Sequence, residues 1–333
     1  MRGRDLPCRL QDLPWHPREL GRTATRTRIA ATVILLALAA CTSACGGGRA
    51  IGADGKILAV GSENQYANVI AQIGGRYVRA TAIESNPNTD PHSFEASPSI
   101  AQTVAAASLI VQNGLGYDTF MERIESASGG VRSNSSRKVI DVQKLLRLPD
   151  STANPHLWYK PQTMPAVAKA LATDLSDLAP AHAAYFHANA VRFEQSLAPW
   201  HEALQQFARQ YPHTPVATTE PVGDYMLEAA GTVNMTPFSL QADIMNGLDP
   251  APQDVTLQNG LFTARRVKVF LYNQQVTDSL TQSFLEEAKR SGVPVVGVYE
   301  TMPTPGYDYQ SWMLAEVHAL YQALAEHLST EKL

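Results

Sequence analysis

Cysteine is nearly missing from this chain. Its 333 residues hold three, Cys8, Cys41 and Cys45, so from Gly46 onward there is none. Disulfides and thiolate metal sites are therefore excluded from the body, and packing must hold it together. Charge is sparse as well, at 17% of residues with a net charge of −4. There is no basic excess, and the aromatics do not alternate with basic clusters, so nucleic acid is excluded as a partner. No apolar run reaches the roughly 20 residues that a transmembrane helix needs. A Gly-x-Ser-x-Gly elbow, a Walker loop, a cysteine nucleophile in the body and a zinc-protease helix with paired histidines and a Glu are all missing.

What is present begins with a leader unlike the rest. Arginines crowd residues 1–28, ending in RTATRTR (Arg22–Arg28), and the apolar run IAATVILLALAA (Ile29–Ala40) follows. A basic region, a short apolar run and small residues at its end form a secretory signal. LAAC (Leu38–Cys41) is similar to a bacterial lipobox, in which the cysteine becomes the lipidated first residue; TSAC (Thr42–Cys45) is a second candidate. GGGRAIGADG (Gly46–Gly55) reads as a flexible tether. The expected organisation is a leader and tether over 1–50, an N-terminal lobe over 51–179, a linking helix over 180–211 and a C-terminal lobe over 212–333.

Beyond the leader, strand-like and helical patterns alternate. KILAVGS, YVRATAI, SLIVQNG and KVIDV read as strands of the first lobe. PVATTE (Pro215–Glu220), TVNMTPFS (Thr232–Ser239), RVKVFLYN (Arg266–Asn273) and VPVVGVYE (Val293–Glu300) read as strands of the second. Helical spacing between them, as in QYANVIAQIGG and DSLTQSFLEEAKRSG, implies crossover units and mostly parallel sheets. The expected fold is α/β, two Rossmann-like lobes joined by one long helix over Ala181–Gln210. Pro199 should kink or break that helix, because proline removes a helical hydrogen bond.

Two loops repeat one pattern: NTDPHSFEASPS (Asn88–Ser99) and NPHLWYKP (Asn154–Pro161). His92 follows the second strand, and His156 follows the last strand of the first lobe. Glu220 and Glu300 end the first and last strands of the second lobe. Ligands of open α/β sheets bind beyond the carboxyl ends of the strands, so the four side chains are expected to converge on one cleft. Two imidazoles and two carboxylates suit a divalent transition metal. The neighbouring prolines stiffen the loops, so less ordering entropy is lost on binding. Singly, each has a plainer explanation as a surface or helix-terminal residue. The remaining histidines (His182, His187, His201, His213, His318, His327) fall on helices or their ends and read as structural or exposed.

Taken together with SLIVQNGLGYD, ATTEPVGDYMLEAAG, RVKVFLYNQQ and VPVVGVYETMPTPGYDYQSWM, these segments run in order from Lys56 to Glu326. In them the chain resembles the cluster A-I metal-binding solute-binding lipoproteins of bacterial zinc/manganese ABC transporters. The resemblance implies two α/β lobes joined by a helix, with Zn²⁺ or Mn²⁺ held between them as transported ligand. It implies an ABC permease with its ATPase as partners, a lipid anchor at the outer face of the cytoplasmic membrane, and a monomer. Carried over residue by residue, it puts the metal ligands at His92, His156, Glu220 and Glu300, with Asp308 as the alternative fourth. The zinc-specific members' long His- and acid-rich loop has no counterpart between His92 and His156. Oxygen ligands tilt the set toward Mn²⁺ while the affinity order favours Zn²⁺. Two other functions stay open on the residues alone: a metal-dependent hydrolase using the same cleft, and a two-lobe receptor for a chelated or organic ligand.

Overall fold

Short aliphatic runs build the first sheet. Its strands are β1 (Ile57–Glu63), β2 (Val78–Glu84), β3 (Leu109–Gln112) and β4 (Lys138–Asp141), in the order β2-β1-β3-β4. Every pairing is parallel, with Ala59 opposite both Ala80 and Leu109, and Leu109 opposite Lys138. All four residues of β3 are buried, as expected of a strand covered on both faces. Parallel neighbours require crossovers, and α1 (Asn64–Gly74), α2 (Pro98–Ala106), α3 (Thr119–Ser128) and α4 (Val142–Leu145) lie along the route. Ser97 caps α2 by accepting the Ile100 N–H, and Pro98 fills its first turn, where a missing N–H does no harm. α5 (Thr163–Leu178) completes the lobe.

The computed structural model describes residues 52, 54–88, 91–128, 137–303 and 305–333. The leader, with Cys41 and Cys45, lies outside the described residues. The end of the expected tether is a turn: Gly55 N–H donates to the Gly52 carbonyl, and Asp54 pairs with Arg79 at 2.8 Å.

The stretch expected as one linking helix is two helices, α6 (Ala183–Ser196) and α7 (Ala198–Gln210), with Leu197 between them. Pro199 is the reason. It has no N–H for the Gln195 carbonyl, so it starts a helix more readily than it continues one. α6 packs on α1 and α5 of the first lobe, and α7 packs on helices of the second.

The second lobe repeats the first sheet's pattern with β5 (Pro215–Thr218), β6 (Val233–Asn234), β7 (Val269–Asn273) and β8 (Val295–Val298), all parallel, in the order β6-β5-β7-β8. Its helices are α8 (Asp224–Ala229), α9 (Phe238–Met245), α10 (Pro252–Thr263), α11 (Ser279–Arg290) and α12 (Tyr309–Ala325). The strand expected over Thr232–Ser239 pairs only at Val233 and Asn234, and Pro237 then starts α9. The C-terminal tail lies along β8, where Gly297 N–H donates to the Thr330 carbonyl at 2.8 Å. A Cβ at Gly297 would stand 2.0 Å from the Glu331 carbonyl oxygen, so this contact requires glycine.

One apolar core runs through both lobes, joining Tyr66, Trp158 and Leu171 to Val216, Trp312 and Val317. A row of amides on α1 reinforces the junction. Asn64 makes two bonds with the main chain of Met302, its Nδ2 donating to the carbonyl and its Oδ1 accepting the N–H, both at 2.8 Å. Gln65 Nε2 donates to the Glu300 carbonyl at 3.1 Å, Asn68 Oδ1 accepts the Tyr309 N–H, and Gln72 pairs with Gln310. Residues 64, 68 and 72 are four apart and so share one helical face. The segment that carries Glu300 is thus fastened to the first lobe as well as to its own.

Candidate metal centre

The expected residues lie beyond the carboxyl ends of four strands, β2, β4, β5 and β8. His92 lies in a single 3₁₀ turn (Pro91–Ser93) after β2, and His156 lies just before another (Leu157–Tyr159). Glu220 stands two residues beyond β5, and Glu300 two residues beyond β8.

Three of the four meet. Glu300 Oε2 is 3.1 Å from His92 Nε2 and 3.4 Å from His156 Nε2, and all three donor atoms lie within 4.8 Å of one another. His156 and Glu300 are fully buried, while the His92 side chain keeps 21% of its surface. Glu220 is also buried and lies one amide away: Asn273 Nδ2 donates to Glu300 Oε1 at 2.7 Å and to Glu220 Oε2 at 3.2 Å. Asp308 is elsewhere. It caps α12 in a capping box with Ser311, so its carboxylate is engaged with the helix N-terminus.

The electrostatics follow from burial and partners. Burial pushes the Glu300 carboxyl up, but the His92 and His156 imidazoles outweigh it and hold the group well below the usual carboxylate range. Burial holds His156 below the ordinary imidazole value, despite Glu300 beside it. The tautomer is set behind the ring. His156 Nδ1 lies 2.8 Å from Asn154 Oδ1, which can only accept, so Nδ1 carries the proton and the lone pair is on Nε2, toward Glu300.

Residues with no role in the sequence reading complete the arrangement. Tyr117 O–H donates to Glu300 Oε2 at 2.9 Å and packs edge-on against both His92 and His156. Its loop is shaped by left-handed Gly114 and Gly116 and pinned by Asp118, whose carboxylate accepts the Asn113 and Gly114 N–H groups. At Gly114 a Cβ would also come within 2.9 Å of Gln143 Cβ. Gln275 Oε1 accepts the Glu300 and Thr301 N–H groups at 2.6 and 2.9 Å, fixing the main chain behind the acid. The signals for these residues were present: Asn-x-His before a turn is an Asx pattern, and Asn273 ends a strand buried at every residue.

Comparison with known proteins bears on the family and the fold. The family model described as ZnuA, zinc-uptake complex component A, periplasmic, matches residues 60–323. The manganese-binding lipoprotein MntA of Bacillus subtilis is 23% identical over 248 residues, 72% of this chain and 78% of that protein. Among solved structures, the periplasmic zinc-binding protein TroA from Treponema pallidum superposes with a TM-score of 0.68 at 19% identity, covering 82% of this chain and all of that one. The solute-binding protein FpvC from Pseudomonas aeruginosa, solved with Mn²⁺, superposes at 0.64 with 19% identity, covering 82% of this chain and 99% of that one. The structural matches establish the two-lobe α/β fold.

Proposed function

Because the chain belongs to the ZnuA family of periplasmic zinc-uptake components, we propose that it captures a divalent transition-metal ion, Zn²⁺ or Mn²⁺, between its lobes and passes it to the permease of an ABC importer. His92, His156 and Glu300 are the first three ligands, and Glu220 is the fourth, brought in by a small shift of the Asn273 amide. The protein is then a carrier and not an enzyme, monomeric, exported and held to the membrane by lipid on Cys41. Among the described residues no helix is long and apolar enough to cross a membrane, so attachment falls to that anchor.

One observation carries the reading: the spacing of the donor atoms. Ligands about 2.0–2.1 Å from a tetrahedral ion stand about 3.3 Å apart, and the two His–Glu separations are 3.1 and 3.4 Å. Burial adds to it. An imidazole and a carboxylate buried side by side are placed to bind a cation. A fourth protein ligand would close the tetrahedron and leave no open position for the water a metallohydrolase activates.

The test is metal content. Protein purified without metal-affinity resin should carry about one equivalent of metal, and a His92→Ala/His156→Ala double mutant should carry none. Competitive titration of Zn²⁺ against Mn²⁺ then ranks the two ions. Equal metal content in the two proteins would end the proposal.

A further inference from the structure

Asn154 stands at a crossing that the ligand geometry alone does not require. Its Oδ1 accepts the His156 backbone N–H at 3.0 Å as well as the ring Nδ1–H at 2.8 Å. Its Nδ2 donates at 2.7 Å to the carbonyl of Pro221, in the other lobe and next to Glu220. Its own carbonyl accepts the Tyr225 hydroxyl of α8 at 2.9 Å. The Pro221 carbonyl also accepts the Asp224 N–H that opens α8. One side chain therefore touches a histidine of the first lobe and the main chain that carries the acid of the second.

The amide has one workable orientation. Reversed, its NH₂ would face two N–H donors and its oxygen would face the Pro221 carbonyl, leaving the backbone N–H of buried His156 without an acceptor. While residues 220–221 are docked, the oxygen is directed at His156, the ring proton stays on Nδ1, and Nε2 is ready to coordinate. When they withdraw, nothing on that side holds the amide, and the ring loses its fixed tautomer. Linkage makes the effect reciprocal: an ion on Nε2 must stabilise the docked position of 220–221 by the same free energy.

We propose that Asn154 is a positioning residue that couples docking of the second lobe's Glu220–Pro221 segment to the coordinating state of His156. This rests on His156 being a metal ligand, as proposed above. Two substitutions separate its two contacts. Asn154→Ala removes both. Asn154→Asp keeps an acceptor for His156 and replaces the donor to Pro221 with a repelling oxygen.

The experiment uses the full chain with Mn²⁺ as probe, measuring affinity by chelator competition and metal-induced hydrogen-exchange protection at residues 222–226. Asn154→Ala should weaken Mn²⁺ binding by about ten- to a hundredfold. Asn154→Asp should recover affinity to within about threefold of wild type yet lose the protection at 222–226. Tyr225→Phe, which removes only the second strap, should lower that protection partly and leave affinity unchanged. Wild-type affinity in Asn154→Ala, or full protection in Asn154→Asp, overturns the proposal while leaving the metal site standing. Wild-type affinity in His156→Ala instead removes the metal-site reading, and this one with it.

Discussion

In the first lobe, the strand ends at the switch between β1 and β3 lead to Asn64 and Gln65 on the first turn of α1 and to Tyr117 in the loop after β3, while the histidines come from beyond the outer strands β2 and β4. In the second lobe, Glu220 follows β5 beside the corresponding switch, and Glu300 follows the outer strand β8. Strand order is the same in both sheets, and its use is not. A doubly wound sheet supplies a rim of strand ends; which end carries a ligand depends on which loops are stiff and which tips are buried. The first lobe offers nitrogen donors on proline-braced turns. The second offers oxygen donors on buried strand ends, positioned by the carboxamides of Asn273 and Gln275.

The largest effect that would test this contrast is at the acids. Glu300→Gln should lower Mn²⁺ or Zn²⁺ affinity by at least about a hundredfold, since each of four ligands carries roughly a quarter of the binding free energy. Glu220→Gln should lower it by less, about tenfold, because Glu220 gives up its bond to the Asn273 amide in order to coordinate, and that cost offsets part of its share. Isothermal titration of the two variants measures both, and equal losses would make Glu220 a full partner of Glu300.

Next in size is the junction. Asn64→Ala leaves the buried N–H and carbonyl of Met302 unpaired and should destabilise the metal-free protein by about 2–4 kcal/mol, read by denaturant unfolding. Asn64→Asp, which keeps the acceptor, should lie between.

Glu316 gives a pH test of the same junction. It is fully buried on α12, and its Oε1 accepts both the Tyr159 hydroxyl of the first lobe and the Trp312 Nε1–H. Burial pushes its carboxyl up to about 8, with those two donors opposing. A raised acid binds its proton more tightly when folded. Its contribution to stability is therefore unchanged at low pH, declines as pH rises above the unfolded value near 4.5, and levels off above about 8. Glu316→Gln removes that decline while adding amide protons to a site built for acceptors. In chelator-treated protein it should destabilise by about 1–2 kcal/mol at pH 5 and stabilise by a similar amount at pH 9. Thermal unfolding at the two pH values gives the sign directly, and a pH-independent difference would show that Glu316 is not neutral in the fold.

The smallest effect expected is at Asp308. Asp308→Ala should cost about 1 kcal/mol, as a lost helix cap does, and should leave metal affinity unchanged. A change in affinity would return Asp308 to the ligand set.

Much of the fold is legible from aliphatic runs. Runs such as LIVQ and VFLYN are buried at every residue, and nothing competes with strand formation there. Legibility fails where local signals conflict. In TVNMTPFS, Val233 and Met235 alternate like a strand, but Pro237 interrupts the ladder and α9 takes over. α3 escaped notice because its apolar positions, Phe120, Met121 and Ile124, cover little more than one turn, too short a stretch to show a helical period. At the site, the Pro-His loops and acidic strand ends could be picked out as residue types in a position. The cross-lobe bond of Asn154 and the site bonds of Asn273 and Gln275 could not be read, because those partners lie 25 to 67 residues away and an amide's function depends on what it faces.

The amide row on α1 has a consequence for where this molecule could be divided. By chain position Glu300 belongs to the back half, yet its carbonyl and the main chain two residues later are held by side chains of the front half. A front half expressed alone would keep both histidines and present an unfilled row of carboxamides. A synthetic peptide spanning residues 298–310, supplied separately, is the natural piece to dock there and return the missing carboxylate.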